Sequence, residues 1–390
     1  MSKKYFGLVA LVLLLSLTLF GCGGQQAEEQ PGGNEGQAEE INYDGEIKIG
    51  LMIPLTGSEA TYGKDMENAM KMAADEINAE GGILGKKLVT ISGDTAADPQ
   101  QSTSAATKLV SSDVVSVVGG YSSGATLPTL NVFADANIPQ VIPVANSTKI
   151  IDENPGNAVQ INGTGFHQAE KALELFEDIW DVEKLAIVHQ GDGYSEDLAK
   201  LTREAWEEAG HEVVAFEVIN KGEQDFSSLV TSIKSKNPDA VYWTAYYADG
   251  ALLIKQLRQG GFQGEIAVGD GSNSPKLMEI AGNAAEGVVC TSNPMVEYLP
   301  AAKEFMENYK TNYNQDPGPY SSLAYDGMHL MKDAIERAGS TDGDAIIKAL
   351  KETEGFQGIS GKTTIADNNA LANSNFVLLE ATGGQWQLIE

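Results

Sequence analysis

Cysteine, histidine and basic residues are scarce in this chain of 390 residues. It has two cysteines, Cys22 and Cys290, and four histidines. Only Cys290 lies in the body of the chain, so an intrachain disulfide within the body is excluded. The cysteines and histidines form no cluster with zinc-ligand spacing, and the acidic residues show no EF-hand spacing. We therefore expect no metal and no cofactor, and stability must come from a hydrophobic core.

Positive charge is also in short supply. The 26 lysines and arginines stand against 55 acidic residues, which gives a formal net charge of −29. Such an excess argues against nucleic acid and anionic membrane surfaces as partners, because both carry the same sign of charge. Bulk charge governs solubility more than the chemistry of one pocket, so it leaves a small-molecule ligand open.

Residues 1–21 predict a signal peptide. Lys3 and Lys4 precede an apolar run over 8–19, and the run ends in Leu19-Phe20-Gly21-Cys22, the pattern of a lipobox. A transmembrane helix is the alternative, but about 18 to 20 apolar residues are needed to span a bilayer and this run is shorter. The sequence thus predicts a chain anchored by a lipid on Cys22 to the extracytoplasmic face of a cell membrane.

Residues 22–46 predict a disordered acidic tether. From Gly23 to Glu46 the segment is rich in Gly, Gln, Glu, Asn and Pro, with several acids and no base. So polar a segment cannot bury enough apolar surface to fold. A lipid and a tether of this kind suit a cell without an outer membrane, such as a Gram-positive bacterium.

From residue 47 onward, β-branched apolar runs alternate with helical patterns, which predicts an α/β fold with parallel sheets. In a helix predicted over 62–79, Met66, Met70, Ala73 and Ile77 recur at spacings of three and four on one face. Asp98-Pro99 predicts the start of the next helix. The first strands are predicted at 47–53, 88–92, 114–118 and 138–144.

A second set of such patterns starts with a helix predicted over 167–180. Its strands are predicted at 185–189, 212–219, 240–244, 265–268 and 287–291. Two long helices follow at 301–314 and 322–338, and then a hairpin of 375–380 and 386–390 around Thr382-Gly383-Gly384. The body is longer than one core usually supports, so we expect two lobes with a ligand cleft between them. Lobe one is assigned to 47–162 and 294–371, and lobe two to 163–293 and 372–390.

Gly120-Tyr121-Ser122-Ser123-Gly124 fits the G-x-S-x-G pattern of a hydrolase nucleophile between a strand and a helix. A secreted serine hydrolase using Ser122 also needs a downstream histidine, and none of the four lies on an obvious late loop. Alternatively, a Ser-Ser-Gly turn at a helix N-terminus offers hydroxyl and N–H groups to a carboxylate. A capping role for Ser123 is a third interpretation.

Several tyrosines and one acid lie in or beside loops at the ends of predicted elements. Each tyrosine alone fits packing as well as recognition, because Tyr is amphipathic and common at half-buried positions. Asp270 follows a predicted strand in Val268-Gly269-Asp270-Gly271, where a turn-forming role is the alternative. The tyrosines are Tyr62, Tyr121, Tyr194, Tyr246 and Tyr320.

An ordered series of segments runs through the whole body: Ile47-Lys48-Ile49-Gly50, Pro54-Leu55-Thr56-Gly57, Tyr62-Gly63, Asp75-Glu76-Ile77-Asn78, Gly81-Gly82-Ile83-Leu84-Gly85, Asp98-Pro99, Gly193-Tyr194-Ser195, Asp225-Phe226-Ser227 and Ala285-Glu286-Gly287. Together they resemble the branched-chain amino acid-binding family of periplasmic-type binding proteins. The resemblance implies the type I periplasmic-binding-protein fold, with two doubly wound α/β lobes joined by a three-crossover hinge. It also implies a binding protein and not an enzyme.

The resemblance assigns roles to single residues. Ser123 would hold the ligand carboxylate, helped by the backbone of Val144 and by Asn146. Tyr246 and Asp270 would hold the α-ammonium group. An anion site on one lobe and a carboxylate on the other would make a zwitterion the bridge that closes the cleft. The side-chain pocket would be shaped by Tyr62, Tyr121, Tyr194 and Tyr320.

The implied function is capture of a small amino-acid-like ligand, of aliphatic or branched-chain type, by hinge closure of a monomer that delivers it to an ABC transporter permease. The chain departs from the family's pattern at Asp270, where leucine binders have a longer Glu, and at Asn146, where they have a Thr. The positions of the family's disulfide are Ala97 and Ser122. Amides, urea and aromatic acids are alternative ligands. A sensory receptor domain of the same fold is a further alternative, although the sequence shows no signalling segment.

Overall fold

Two mainly parallel sheets organise the computed structural model, which describes residues 41–374 and 376–389. The first sheet has the strand order β2-β1-β3-β4-β5, with every pairing parallel. Strands β3 to β5 are buried along their whole length, as expected where both faces of a sheet are covered. The elements are β1 Glu46–Ile53, α1 Ala60–Ala79, β2 Lys87–Asp94, α2 Pro99–Val110, β3 Ser116–Gly119, α3 Ser123–Asp135, β4 Gln140–Ile142, α4 Thr148–Glu153 and β5 Ala158–Gln160.

The next part of the chain builds most of the second sheet by the same alternation. Its strands up to β10 pair in parallel, as crossover helices require. The elements are α5 Gly165–Glu174, β6 Lys184–His189, α6 Ser195–Glu208, β7 Glu212–Val218, α7 Ser227–Ser235, β8 Ala240–Trp243, α8 Tyr247–Gln259, β9 Glu265–Gly269, α9 Pro275–Ala281 and β10 Val289–Ser292.

The chain then returns to the first sheet before ending in the second. The remaining elements are α10 Lys303–Tyr313, α11 Ser321–Ala338, α12 Gly343–Lys351, β11 Phe356–Gln357, β12 Lys362–Thr363, β13 Val377–Thr382 and β14 Gln385–Leu388. Helix α10 packs on α1, where the Tyr313 hydroxyl donates to the carbonyl of Asn68 at 2.8 Å. Strands β13 and β14 complete the second sheet, in the order β14-β13-β10-β9-β8-β6-β7. The chain therefore passes between the two sheets at 161–164, 293–302 and 364–376.

Local signals in the sequence account for several of these elements. Met66, Met70, Ala73 and Ile77 are all fully buried on one face of α1, which confirms the predicted periodicity. The Asp98 carboxylate accepts the N–H groups of two residues in the first turn of α2, and Pro99 is the first helical residue. Between β13 and β14 the two-residue turn has φ of 61° at Gly383 and 81° at Gly384, a conformation that glycine adopts without strain.

Other predictions needed correction. The single helix predicted over 167–180 ends as an α-helix at Glu174 and continues as a π-helix over Leu175–Ile179. The strand predicted over 138–144 is restricted to Gln140–Ile142, because Pro139 and Pro143 on either side cannot donate to a ladder. Elements α4, β5, α9, β11 and β12 were missed, since they are too short to produce a clear period, and α12 was missed although Ile346, Ala349 and Leu350 lie on one face.

Part of the segment predicted as a tether belongs to the folded body. The Tyr43 hydroxyl donates to the carbonyl of Asn78 at 2.6 Å, and the N–H of Asp44 donates to Gly85 at 2.9 Å. Residues 43–46 are therefore tied to the C-terminal end of α1 and to the loop after it. The signal peptide, Cys22 and most of the predicted tether lie outside the described residues.

Candidate functional site

A small cavity lies where the carboxyl ends of strands from the two sheets meet. Its empty space is about 230 Å³, which includes space open to solvent. All of its lining residues are buried. A small ligand in this cavity would therefore contact mainly buried side chains. The lining residues are Tyr121, Ser123, Val144, Asn146, Tyr194, Tyr246, Asp270, Gly271 and Tyr320.

The structure brings together all of the site residues expected from the sequence except one, which lies just behind the wall. Tyr62 does not line the cavity, but its ring stacks on that of Tyr121 with the centroids 5.4 Å apart. Its hydroxyl donates to the carbonyl of Asn273 on the opposite side of the cleft, at 3.0 Å. Tyr62 therefore supports the wall and bridges the two sides of the cleft.

One end of the cavity is suited to an anion. Ser123 is the first residue of α3, where the first N–H groups of the helix have no partner within it and the helix dipole is positive. The Ser123 hydroxyl accepts the N–H of Ser147 at 3.2 Å, which fixes it beside the loop that follows β4. Val144 and Asn146 come from that loop, and the Asn146 amide donates to Gln168 at 3.0 Å. A carboxylate would find hydroxyl and N–H donors here.

The opposite side of the cavity carries a negative charge. Asp270 directly follows β9 and is 4% exposed. Its carboxylate accepts the Tyr194 hydroxyl at 2.6 Å, and its backbone carbonyl accepts the Tyr320 hydroxyl at 2.6 Å. Burial raises the pKa of Asp270 to about 6, although hydrogen bonds from Tyr194 and Gln168 favour the ionised form. A cationic group of a ligand would stabilise this buried carboxylate.

Tyrosine rings form much of the wall between these two ends. The ring of Tyr121 lies 5.6 Å from that of Tyr320 and 6.3 Å from that of Tyr246, between centroids. The ring of Tyr194 lies 5.7 Å from that of Tyr246. Burial raises the pKa of each of these four phenols well above its usual value. They therefore remain neutral hydrogen-bond donors at physiological pH.

The two sides of the cleft also touch directly. The Tyr246 hydroxyl donates to the Ser122 hydroxyl at 3.1 Å, at the N-terminus of α3. At the edge of the cleft, the Tyr247 hydroxyl donates to the carbonyl of Ser58 at 3.0 Å, and the Lys276 ammonium donates to Thr61 at 2.7 Å. These hydrogen bonds join residues from the two sides of the cleft. The cleft is therefore closed in this structure.

Two residues near the cavity were missed by the sequence analysis. Gly271 lines the wall, and a Cβ placed there would lie 3.0 Å from the Tyr194 ring. The two glycines on either side of Asp270 were the sequence signal for this close approach. Glu59 is 1% exposed and accepts the Tyr121 hydroxyl at 2.9 Å. Burial raises its pKa. Nothing local marks Glu59, because an acid in a polar loop is ordinarily exposed.

The hydrolase alternative lacks its base. The Ser122 hydroxyl has Tyr246 as its partner, and among the described residues no histidine is hydrogen-bonded to it. The described residues also contain no group of three or more His, Cys, Asp or Glu side chains able to hold a metal ion. The four histidines contact other residues: His167 contacts Thr164, His189 contacts Gly191, His211 contacts Glu177 and His329 lies 3.9 Å from Glu76.

Comparison with known proteins identifies the family. A family profile described as periplasmic binding protein matches residues 46–385. The chain is 32% identical over 341 residues to the Leu/Ile/Val-binding protein BraC3 of Rhizobium johnstonii, covering 87% of this chain and 93% of the relative. It is 30% identical over 316 residues to Leu/Ile/Val-binding protein homolog 1 of Brucella melitensis biotype 1, covering 81% and 85%.

Solved structures agree in fold. The leucine binding protein LivK of Thermotoga maritima superposes with a TM-score of 0.83 at 28% identity, covering 88% of this chain and 98% of that one. The branched-chain amino acid transporter substrate binding protein LivJ of Streptococcus pneumoniae, in complex with isoleucine, gives 0.80 at 27% identity, covering 87% and 97%. The chain therefore belongs to the periplasmic binding protein family, in its branched-chain amino acid-binding group, and has the type I fold of two α/β lobes.

Proposed function

We propose that this protein is an extracytoplasmic solute-binding lipoprotein that captures a small amino-acid-like ligand by hinge closure and delivers it to an ABC transporter permease. The family is extracytoplasmic, and its members bind small amino acid ligands and work with ABC transporters. The observation that carries the proposal is the pairing, in one buried cavity, of the α3 N-terminus at Ser123 with the carboxylate of Asp270. A zwitterion would satisfy both ends with charge-assisted hydrogen bonds.

The lobe boundaries are part of the proposal. We infer that each sheet with its helices forms one lobe, so that lobe one comprises 47–162 and 294–371 and lobe two 163–293 and 372–390. The strand order of each sheet supports this division, as does the packing of α10 and α11 on α1. The three connections between the sheets would act as the hinge. Because the ligand would contact both lobes, it would bind the closed form better and shift the population toward it.

Anchoring to the membrane is proposed from the sequence. The signal peptide and the lipobox at Cys22 fit a lipid anchor, and among the described residues no helix is long and apolar enough to cross a bilayer. A monomer on a polar tether could reach a permease in the same membrane. The names of the relatives favour leucine, isoleucine or valine as ligands, with amides, urea and aromatic acids as alternatives.

A thermal-shift screen tests the proposed function. The protein would be the chain from residue 22 onward with Cys22→Ser, and the ligands would be the twenty amino acids and common amides. We expect at least one amino acid, at 100 times its Kd, to raise the free energy of unfolding by about 2.7 kcal/mol. The amine that lacks the carboxylate of that amino acid serves as the control and should give no shift. No shift with any compound would contradict an amino-acid-binding function.

The pH dependence of binding gives a second test. A cationic ligand group needs ionised Asp270, whose raised pKa of about 6 leaves roughly one tenth of it ionised at pH 5. We therefore expect Kd, measured by calorimetry, to increase about tenfold between pH 7.5 and pH 5. The surrounding Tyr194, Tyr320 and Cys290 stay neutral over this range, because burial raises the pKa of each. A Kd that is constant from pH 7.5 to pH 5 would argue against Asp270 as the cation partner.

A further inference from the structure

The tyrosines around the cavity present their rings, and not their hydroxyls, to a ligand. We call Tyr121, Tyr194, Tyr246 and Tyr320, with Tyr62 behind them, the tyrosine box. Each hydroxyl of the box already donates to a protein acceptor: Tyr62 to Asn273, Tyr121 to Glu59, Tyr194 to Asp270, Tyr246 to Ser122 and Tyr320 to the carbonyl of Asp270. The surface left for a ligand is therefore largely aromatic. Among the described lining residues, Val144 is the one aliphatic side chain.

Two buried carboxylates accept hydrogen bonds from the tyrosine box, but no cation lines the cavity among the described residues. Asp270 is 4% exposed and Glu59 is 1% exposed. Among the described residues that line the cavity there is no lysine, arginine or histidine. The positive charge that acts on Glu59 is that of Lys221, an exposed residue, and no ion pair with Glu59 is present among the described residues. Buried charges are normally paired, because an unpaired one has lost its hydration without compensation.

An aliphatic zwitterion would supply only one positive charge for these two carboxylates. Its α-ammonium group would compensate Asp270, and its carboxylate would bind at the α3 N-terminus. Glu59, which accepts the Tyr121 hydroxyl, would still have only the exposed Lys221 as a positive partner. A ligand with a second positive charge in its side chain would compensate both carboxylates.

Aromatic rings and carboxylates together form a good site for an organic cation. A cation within about 6 Å of a tyrosine centroid is attracted by the negative face of the ring. The Tyr121 hydroxyl donates to one carboxylate and the Tyr194 hydroxyl to the other, which increases the electron density of both rings. One ring of the box already attracts a cation, since the Lys221 ammonium lies 5.9 Å from the Tyr246 centroid.

We propose, on the basis of the proposed function, that the ligand is a basic amino acid whose side-chain cation is held by the tyrosine box with Glu59 behind it. Asp270 then holds the α-ammonium group and the Ser123 end holds the carboxylate. The small cavity favours a short side chain. Glu59 determines specificity through charge, and it acts on the ligand across the ring of Tyr121.

Calorimetric titration with matched ligands tests this proposal. The protein is again the chain from residue 22 with Cys22→Ser, and the probes are ornithine, lysine and arginine against norleucine, leucine, isoleucine and valine. Norleucine resembles lysine without its terminal ammonium. We expect the best basic amino acid to bind at least tenfold more tightly than norleucine, and Glu59→Gln to reduce this ratio below threefold without changing the Kd of norleucine.

A matched control variant exists at the other end of the same helix. Glu59 and Glu80 flank the two ends of the 20-residue α1, roughly 30 Å apart, but Glu80 is exposed. Glu80→Gln removes the same charge and should leave the ratio unchanged. Tyr121→Leu removes a ring of the box while retaining Glu59, and should weaken the basic amino acid more than norleucine. Thermal melts without ligand establish that each variant is folded.

The results separate this inference from the proposed function. If leucine or norleucine binds as tightly as the basic amino acids, the inference is wrong and the amino-acid-binding function stands. If Glu59→Gln weakens every ligand equally, Glu59 has a structural role and the inference is also wrong. If no amino acid binds, the proposed function itself fails.

Discussion

Asp270→Asn is expected to weaken ligand binding by about 100-fold while leaving the empty protein as stable as before or more stable. The loss follows because the substitution removes one partner of a buried, hydrogen-bonded charge pair, a change that costs about 2 to 5 kcal/mol of binding energy. Asparagine keeps the size of the side chain and an oxygen that can accept the Tyr194 hydroxyl. The variant therefore changes the charge and leaves the packing alone.

The stability of the empty variant follows from the pKa of the carboxyl group. Burial raises the pKa of Asp270 to about 6, so above pH 6 the folded state carries a carboxylate that would be better solvated in the unfolded chain. The folded state binds the proton more tightly, so this group's contribution to stability increases as the pH falls from above 6 toward the ordinary value. A neutral asparagine removes that penalty at pH 8, a gain of about 1 to 3 kcal/mol.

Two measurements are needed, the Kd by calorimetry and the free energy of unfolding in urea without ligand at pH 8. A fall in stability of several kcal/mol would indicate that Asp270 is a structural acceptor for Tyr194 and not a ligand group. Unchanged ligand affinity would likewise place the cation site elsewhere. Glu80→Gln, which removes one exposed acid, is the control for general effects of charge.

Gly63→Ala is expected to destabilise the protein by about 3 kcal/mol or more. Helix propensity alone predicts the opposite, since Ala exceeds Gly by about 1 kcal/mol in a helix interior. However, a Cβ at Gly63 would lie 1.8 Å from the carbonyl oxygen of Pro54. Both groups belong to the backbone of packed elements, so neither can move aside as a flexible side chain would. The steric clash therefore outweighs the propensity.

The measurement is the urea concentration at the midpoint of unfolding, with the slope of the transition unchanged. The result is compared with that of a second glycine substitution whose added Cβ meets no steric clash. Gly339→Ala is suitable, because Gly339 has φ of 59° at the end of α11 and nothing lies within 4 Å of its added Cβ. It should cost about 1 to 2 kcal/mol, the penalty of the left-handed conformation alone. If Gly63→Ala costs no more than this control, α1 does not pack as closely on the loop at Pro54 as the structure indicates.

The substitution should also affect the ligand site. Tyr62 precedes Gly63 in α1 and supports the ring of Tyr121, while Glu59 lies just before the helix begins. If α1 shifts to relieve the clash, these side chains shift with it. The close approach at Gly63 thus links the packing of α1 to the shape of the cavity.

The sequence by itself determined the features that depend on neighbours along the chain. The spacing of Met66, Met70, Ala73 and Ile77 identified the buried face of α1, and Asp98-Pro99 identified the start of α2. Alternating strand and helix patterns determined the α/β class. The residue types at the strand ends, with the family resemblance, led to Ser123 and Asp270 as candidates. These signals are local, because helix periods and caps involve residues only a few positions apart.

The tertiary structure alone decided which of those side chains share the cavity and what lies behind them. The bond between Tyr121 and Glu59 joins residues 62 positions apart, and that between Tyr194 and Asp270 joins residues 76 positions apart. The sequence did not distinguish Tyr62 from Tyr121, yet Tyr121 lines the cavity and Tyr62 supports the ring of Tyr121. These outcomes depend on how the two sheets pack across the cleft, and no local pattern records that packing. The burial of the Glu59 carboxyl group, on which the proposed preference for a basic ligand depends, arises from the same packing.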